Sequence, residues 1–140
     1  MTALLVMYSR VDNKCYIKAT YAQQEAISYF TSLVTQIKSA DGYKDELPVA
    51  FVNEMHASDT SLQMGDYGAY DSIGYVPYIL DPLDYLNNYR WMLFMKQWTG
   101  FSPQAADAKL FQDMEEVQQM PSYPDDGSIR IIGDTVVVKF

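Results

Sequence analysis

The sequence predicts a single α/β domain, with α+β as the neighbouring class. A small mixed sheet with a C-terminal hairpin is packed by a long N-terminal helix and two further helices. Three observations carry this. Apolar residues recur at helical spacing from Cys15 to Ile37, the apolar run Val49–Val52 follows directly, and "SIRIIGDTVVVKF" closes the chain with two β-branched runs around Gly133-Asp134.

The helical stripe is Cys15, Ala19, Ala22, Ala26, Phe30, Leu33 and Ile37, flanked by Ile27 and Val34. Steps of three and four keep these positions on one face, while Gln23, Gln24, Ser28, Ser32 and Lys38 fall largely outside it. The helix is expected over about 13–40, ended by Asp41-Gly42 with glycine in the left-handed position. Cys15, the only cysteine, reads as a small apolar residue of that face. Next, Pro48 opens a short buried strand of Val49–Val52.

Residues 53–80 lose periodicity and are expected to form a long, tyrosine-rich loop region. Asp81-Pro82 then starts a second helix that runs to about Trp98 and stops at Gly100, with Asp84 in the first turn. Its second half, "WMLFMKQW", is apolar nearly all round, so it is either deeply buried or turned toward a partner. Ser102-Pro103 repeats the start signal, and Ala106, Leu110, Met114 and Val117 carry a third helix to about Gln119. In the hairpin, the turn sets Ile131 opposite Val136 and Ile129 opposite Val138 on one core face. Arg130, Ile132, Thr135 and Val137 share the other, mixed face of a sheet covered mainly on one side.

At 140 residues with 49% hydrophobic residues, the chain makes one domain with a core of its own. Its net charge of −8 repels phosphate backbones, which argues against nucleic acid, and anionic lipid headgroups. "MTALLVMYSR" is too short to span a bilayer and lacks the basic start and small-residue cleavage site of a secretory signal. Taken as a complete gene product the chain would be cytoplasmic. Taken as a piece of a longer one, residues 1–9 would be the remnant of a membrane helix.

The search for chemistry yields no catalytic set, no metal site and no cofactor. His56, in "NEMHASD", stands beside Glu54, Ser58 and Asp59, but four near neighbours in sequence do not make a triad, and it reads as a solvated loop residue. Asp81 and Asp84 are explained by helix capping, and "YPDDGS" by turn chemistry. No phosphate loop, dinucleotide fingerprint, nucleophile elbow or zinc helix is present.

What remains is aromatic. "YGAYDSIGYVPY" spaces Tyr67, Tyr70, Tyr75 and Tyr78 with glycine, Asp71 and proline, and Tyr85, Tyr89, Trp91 and Trp98 follow in the second helix. Tyrosine offers stiff, amphipathic contact area that suits sugar rings and protein partners alike. Each ring can equally well pack the loop on the core. Tyr67, Tyr70, Tyr75, Tyr78, Asp71, Trp91 and Trp98 are the candidate ligand-binding residues, with at least two of the four loop tyrosines open to solvent near Trp91 or Trp98.

The stretches from "CYIKATYAQQEAISYF" to "DELPVAFV" and from "MPSYPDDGSI" to "TVVVKF" together resemble the C-terminal soluble domain of GtrII-type membrane glucosyltransferases of Gram-positive gut bacteria. "CYIKATYAQQEAISYFTSLVTQIKSADGYKDELPVAFV" is similar to the region after their last membrane helix, where a "Y…Q…A…Y" helix leads into "PVAFV". "MPSYPDDGSIRIIGDTVVVKF" is similar to their closing hairpin. The resemblance implies a domain on the extracytoplasmic face of the cell membrane, attached to the membrane part of the same polypeptide. It also implies a glycan acceptor as partner and glucose from a polyprenyl-phosphate carrier. The family's catalytic acids belong to the membrane part, so none is carried onto this chain. The alternative is a stand-alone acidic interaction module of the immunity or adaptor type.

Overall fold

The computed structural model describes residues 2–53 and 84–140, with the backbone alone in parts of the first two helices. Helix α1 spans Thr2–Lys38, strand β1 Val49–Val52, and helix α2 Asp84–Thr99. Two short helices follow, α3 (Lys109–Gln112) and α4 (Glu115–Gln118), then strands β2 (Ile129–Ile132) and β3 (Thr135–Lys139).

The strand order is β1-β3-β2. β3 lies in the middle, antiparallel to β2 and parallel to β1, with Val49 beside Val136 and Val52 beside Lys139. The hairpin register is the expected one, Ile131 opposite Val136 and Ile129 opposite Val138. Gly133 has a φ of 60°, the left-handed value that the tight turn requires and that β-branched residues avoid.

One face of the sheet meets α1. Ala26, Phe30, Leu33, Val34 and Ile37 are buried, and all but Ala26 join Val49, Phe51, Val136 and Val138 in one cluster with Met95, Phe101 and Tyr123. This is the stripe read from the sequence, in the part of α1 whose side chains are described. The helix itself begins at Thr2 rather than near residue 13. Residues 2–12 contain neither glycine nor proline, so nothing in them stops the helix from extending toward the N-terminus. After Lys38 the chain turns through Ala40, whose N–H reaches the Ile37 carbonyl, and Gly42 takes a φ of 84°. No helix among the described residues is long and apolar enough to cross a membrane.

The other face differs from the mixed surface expected of it. Ala50, Val52 and Val137 are buried there against Phe111, Val117 and Met120, so the sheet is covered on both sides. The covering segment also departs from the single helix expected over 102–119. Residues 102–108 instead run alongside β1. Val49 donates its N–H to the Gln104 carbonyl at 2.8 Å, and Ala106 donates to the Val49 carbonyl at 2.9 Å. These bonds satisfy both backbone groups of Val49 at the start of β1, and a continuous helix from Ser102 would forfeit them. Helix starts only at α3. It breaks at Met114, which is extended (φ −73°, ψ 128°), and resumes in α4. Phe111, Val117 and Met120 therefore face the sheet, whereas Leu110 and Met114, expected on the buried stripe, are exposed.

Lys139 ties this layer down. Its Nζ donates to the Gln118 carbonyl at 2.7 Å and to the Met120 carbonyl at 2.6 Å, at the end of α4 where carbonyls lack helical partners.

Candidate functional site: an aromatic series ending at Trp98

α2 divides its apolar residues between two environments. Met95 is fully buried and Met92 and Phe94 pack against the core, while Leu93, Lys96, Gln97 and Trp98 face outward. The sequence left "WMLFMKQW" as either buried or turned toward a partner. Within this one helix the segment is divided, one side buried in the core and the other open to solvent. The helix ends where Gly100, at a φ of 71°, donates to the Lys96 carbonyl. The Thr99 hydroxyl donates to the Met95 carbonyl at 2.7 Å and accepts from the Phe101 N–H at 3.2 Å, which fixes the last turn carrying Trp98.

Trp98 is 43% exposed, and the covered side of its ring meets the aromatic residues of the core. It leans on Phe94 at 6.1 Å between centroids, and Phe94 leans on Phe30 at 5.3 Å. From Phe30 the contacts continue edge-on to Tyr29 at 5.5 Å and from Tyr29 to Tyr123 at 5.3 Å. Tyr123 meets Phe140 at 6.0 Å, and Phe140 stacks on Phe51 of β1 at 6.0 Å. Seven rings thus form a chain of contacts from the middle of the domain to an open indole. Edge and tilted pairs of this kind each contribute about 0.5–1.5 kcal/mol beyond the area that they bury. Beside the same end of α2, the Lys38 ammonium lies 5.7 Å from the Phe101 ring centre, within cation–π range.

Two tyrosine hydroxyls in the described residues titrate above the ordinary range. Burial raises Tyr123, partly offset by a hydrogen bond from Ser32. Burial also raises Tyr43, aided by its hydroxyl donating to Asp45 Oδ1 at 3.1 Å and by the charges of Asp45 and Glu46. Both stay neutral at physiological pH, packing or donating rather than acting as bases.

Of the residues singled out in the sequence, Trp98 is placed as an exposed ring. The Trp91 position belongs to α2, but only its backbone is described. Tyr67, Tyr70, Asp71, Tyr75 and Tyr78 lie outside the described residues, as do His56 and the Asp81-Pro82 helix start. The rings behind Trp98 (Phe94, Phe30, Tyr29, Tyr123) were not recognised as a group. Phe30 and Phe94 stand in helical apolar patterns, but nothing local links them to Tyr123 in the loop before β2. Among the described residues no three His, Cys, Asp or Glu side chains are placed to share a metal ion. No family model, no curated protein and no solved structure matches the chain.

Proposed function

We propose that this chain is a non-catalytic binding domain whose ligand is a glycan, the acceptor of a membrane glucosyltransferase acting outside the cell. The observation that supports it is Trp98, an open indole at the outer end of an aromatic series. An indole face stacks on the C–H face of a pyranose ring, and tryptophan has few side-chain torsions to restrict on binding. The loop tyrosines Tyr67, Tyr70, Tyr75 and Tyr78, with Asp71 as a hydroxyl acceptor, would extend the same surface. The membrane part of such an enzyme would supply the chemistry and this domain the grip.

The test is a titration of short surface glycans into the protein, followed through the Trp98 indole N–H by NMR. Stacking should shift that signal at millimolar glycan, and Tyr70→Ala and Tyr75→Ala should each weaken the response; Trp98→Ala, which removes the reporter, should weaken binding measured by calorimetry. If no glycan moves the indole signal, the glycan reading fails. An in-frame run of hydrophobic spans upstream in the gene would bear separately on the transferase setting.

A second reading, an interaction module for a protein partner, is favoured by one specific observation. Leu93 and Leu110 are exposed as well, and aliphatic side chains suit a protein surface better than a sugar.

A further inference from the structure

The two edges of the sheet are finished differently. At the start of β1, Gln104 and Ala106 take both backbone groups of Val49. β2, at the other end of the order β1-β3-β2, has β3 on one side only. The phase of that hairpin ladder follows from the Lys139 N–H, which donates to the Ser128 carbonyl at 2.9 Å. Opposite residues of an antiparallel pair alternate between bonded and non-bonded. Ser128 and Lys139 are a bonded pair, so Arg130–Val137 and Ile132–Thr135 are bonded too. The N–H and C=O groups of Ile129 and Ile131 therefore point away from β3, and no other described residue bonds them.

Two charged side chains stand along this edge. Arg130 and Asp134 are exposed, and among the described residues neither side chain forms a hydrogen bond or ion pair. They belong to one hairpin, but Arg130 leans away from the turn. Its Nη2 lies 3.7 Å from where a Cβ on Gly127 would be, at the opposite end of the strand.

An open edge is completed by another strand, and a second β2 running antiparallel carries the same groups at the same spacing. Two-fold pairing centred on Arg130 would set that arginine directly against its counterpart, an unfavourable apposition of like charges. Centred on Ile129 it would run into the turn at 125–128, where the Ser128 N–H is bonded to the Asp125 carbonyl. Centred on Ile131 it meets neither obstacle. Ile131 then exchanges both backbone bonds with its counterpart, and Arg130 stands opposite Ile132. Position 134 of the second copy falls opposite 128, at the level toward which the Arg130 guanidinium already leans.

We propose that the chain forms a two-fold dimer by pairing β2 with β2 of a second copy about Ile131, Arg130 of each copy meeting Asp134 of the other. The sheet becomes continuous across both chains, and the two charges that a single hairpin keeps apart are joined reciprocally. The same edge serves both copies, so assembly closes at a pair. The proposal uses no residue of the series ending at Trp98, and its failure would leave the glycan reading untouched.

Sedimentation velocity on the full chain tests this between about 5 and 500 μM, at roughly 20 mM and 500 mM NaCl. Mass should rise from the 16.0 kDa of one chain toward twice that value and stop there, less readily at high salt. Arg130→Glu and Asp134→Lys should each weaken pairing at least about tenfold by setting like charges together. An equimolar mixture of the two variants should pair again, because both ends of the mixed contact then join opposite charges. Hydrogen exchange locates the contact. The Ile131 amide should exchange more slowly at about 500 μM than at about 50 μM, while the Arg130 amide, bonded to β3, stays unchanged. Circular dichroism establishes that each variant is folded. A constant single-chain mass overturns the proposal, as does growth beyond a pair or association that ignores both reversals. An Ile131 amide equally protected at every concentration overturns it as well, since the edge would then be closed within one chain.

Discussion

Replacing Lys139 by methionine keeps most of its stem and removes the ammonium that holds α4 to the sheet. Two charge-assisted hydrogen bonds disappear, one to the partly buried Met120 carbonyl and one to the exposed Gln118 carbonyl. A hydrogen bond involving a charged group contributes about 1.5–3 kcal/mol, with partly buried examples toward the upper end and exposed ones well below it. Together the two make the loss about 2–3 kcal/mol, since water reaches the Gln118 carbonyl and recovers part of its bond. Urea denaturation gives the readout. With a slope of about 1.5 kcal/mol per molar for a domain of this size, the midpoint should fall by roughly 1.3–2 M at unchanged slope. Lys139→Arg, which keeps the charge but changes the donor geometry, should fall between the two. Because the acceptors are neutral carbonyls, added salt should barely change the difference, unlike that of a surface ion pair. A midpoint within about 0.3 M of the parent would refute the reasoning and reduce Lys139 to a solvated side chain.

Two further outcomes follow from the same packing. The Tyr123 hydroxyl titrates above its unfolded value of about 10. Its contribution to stability is therefore complete below pH 10 and is lost as pH rises through the folded value. Stability should decline in that alkaline window, and Tyr123→Phe should make the decline shallower; an unchanged slope in urea titrations from pH 8 to 11 would count against it. Ser128 is 1% exposed, and its Oγ has no hydrogen-bond partner among the described residues. Ser128→Ala should accordingly leave stability unchanged or raise it by about 1 kcal/mol, and a loss above 1 kcal/mol in denaturant melts would mean that the hydroxyl is bonded.

What could be read in advance divides by the range of the interaction. The hairpin register was legible because Gly133-Asp134 determines it within a few residues, and the turn admits one pairing. The C-terminal half of α1 was legible for a similar reason, its stripe repeating over about three turns. The third helix was not. Ser102-Pro103 is a genuine start signal, but the competing demand comes from β1, some fifty residues earlier, whose outer edge takes up the backbone of Gln104 and Ala106. Once the helix is broken at Met114, the spacing that assigned Leu110 and Met114 to the core no longer holds, and both are exposed. The central position of β3 and the parallel pairing with β1 depend on contacts that no local pattern announces. The exposure of Trp98 was half legible. Apolar residues all around "WMLFMKQW" signalled two destinations, and only the packing of Met95 against the sheet decides which residues took which.

The middle place of β3 also bears on how the chain reaches its native state. Asn53, just past β1, donates from its side chain to the Phe140 carbonyl across 87 residues of sequence, and the whole β1–β3 ladder spans a similar separation. During synthesis, Val49–Val52 therefore emerges as a bare apolar strand with neither edge occupied, long before its parallel neighbour exists. Closing a loop that long slows the search, and parallel pairing rewards it only after the closure entropy has been met. In that interval the exposed "VAFV" strand is open to mispairing with other nascent chains.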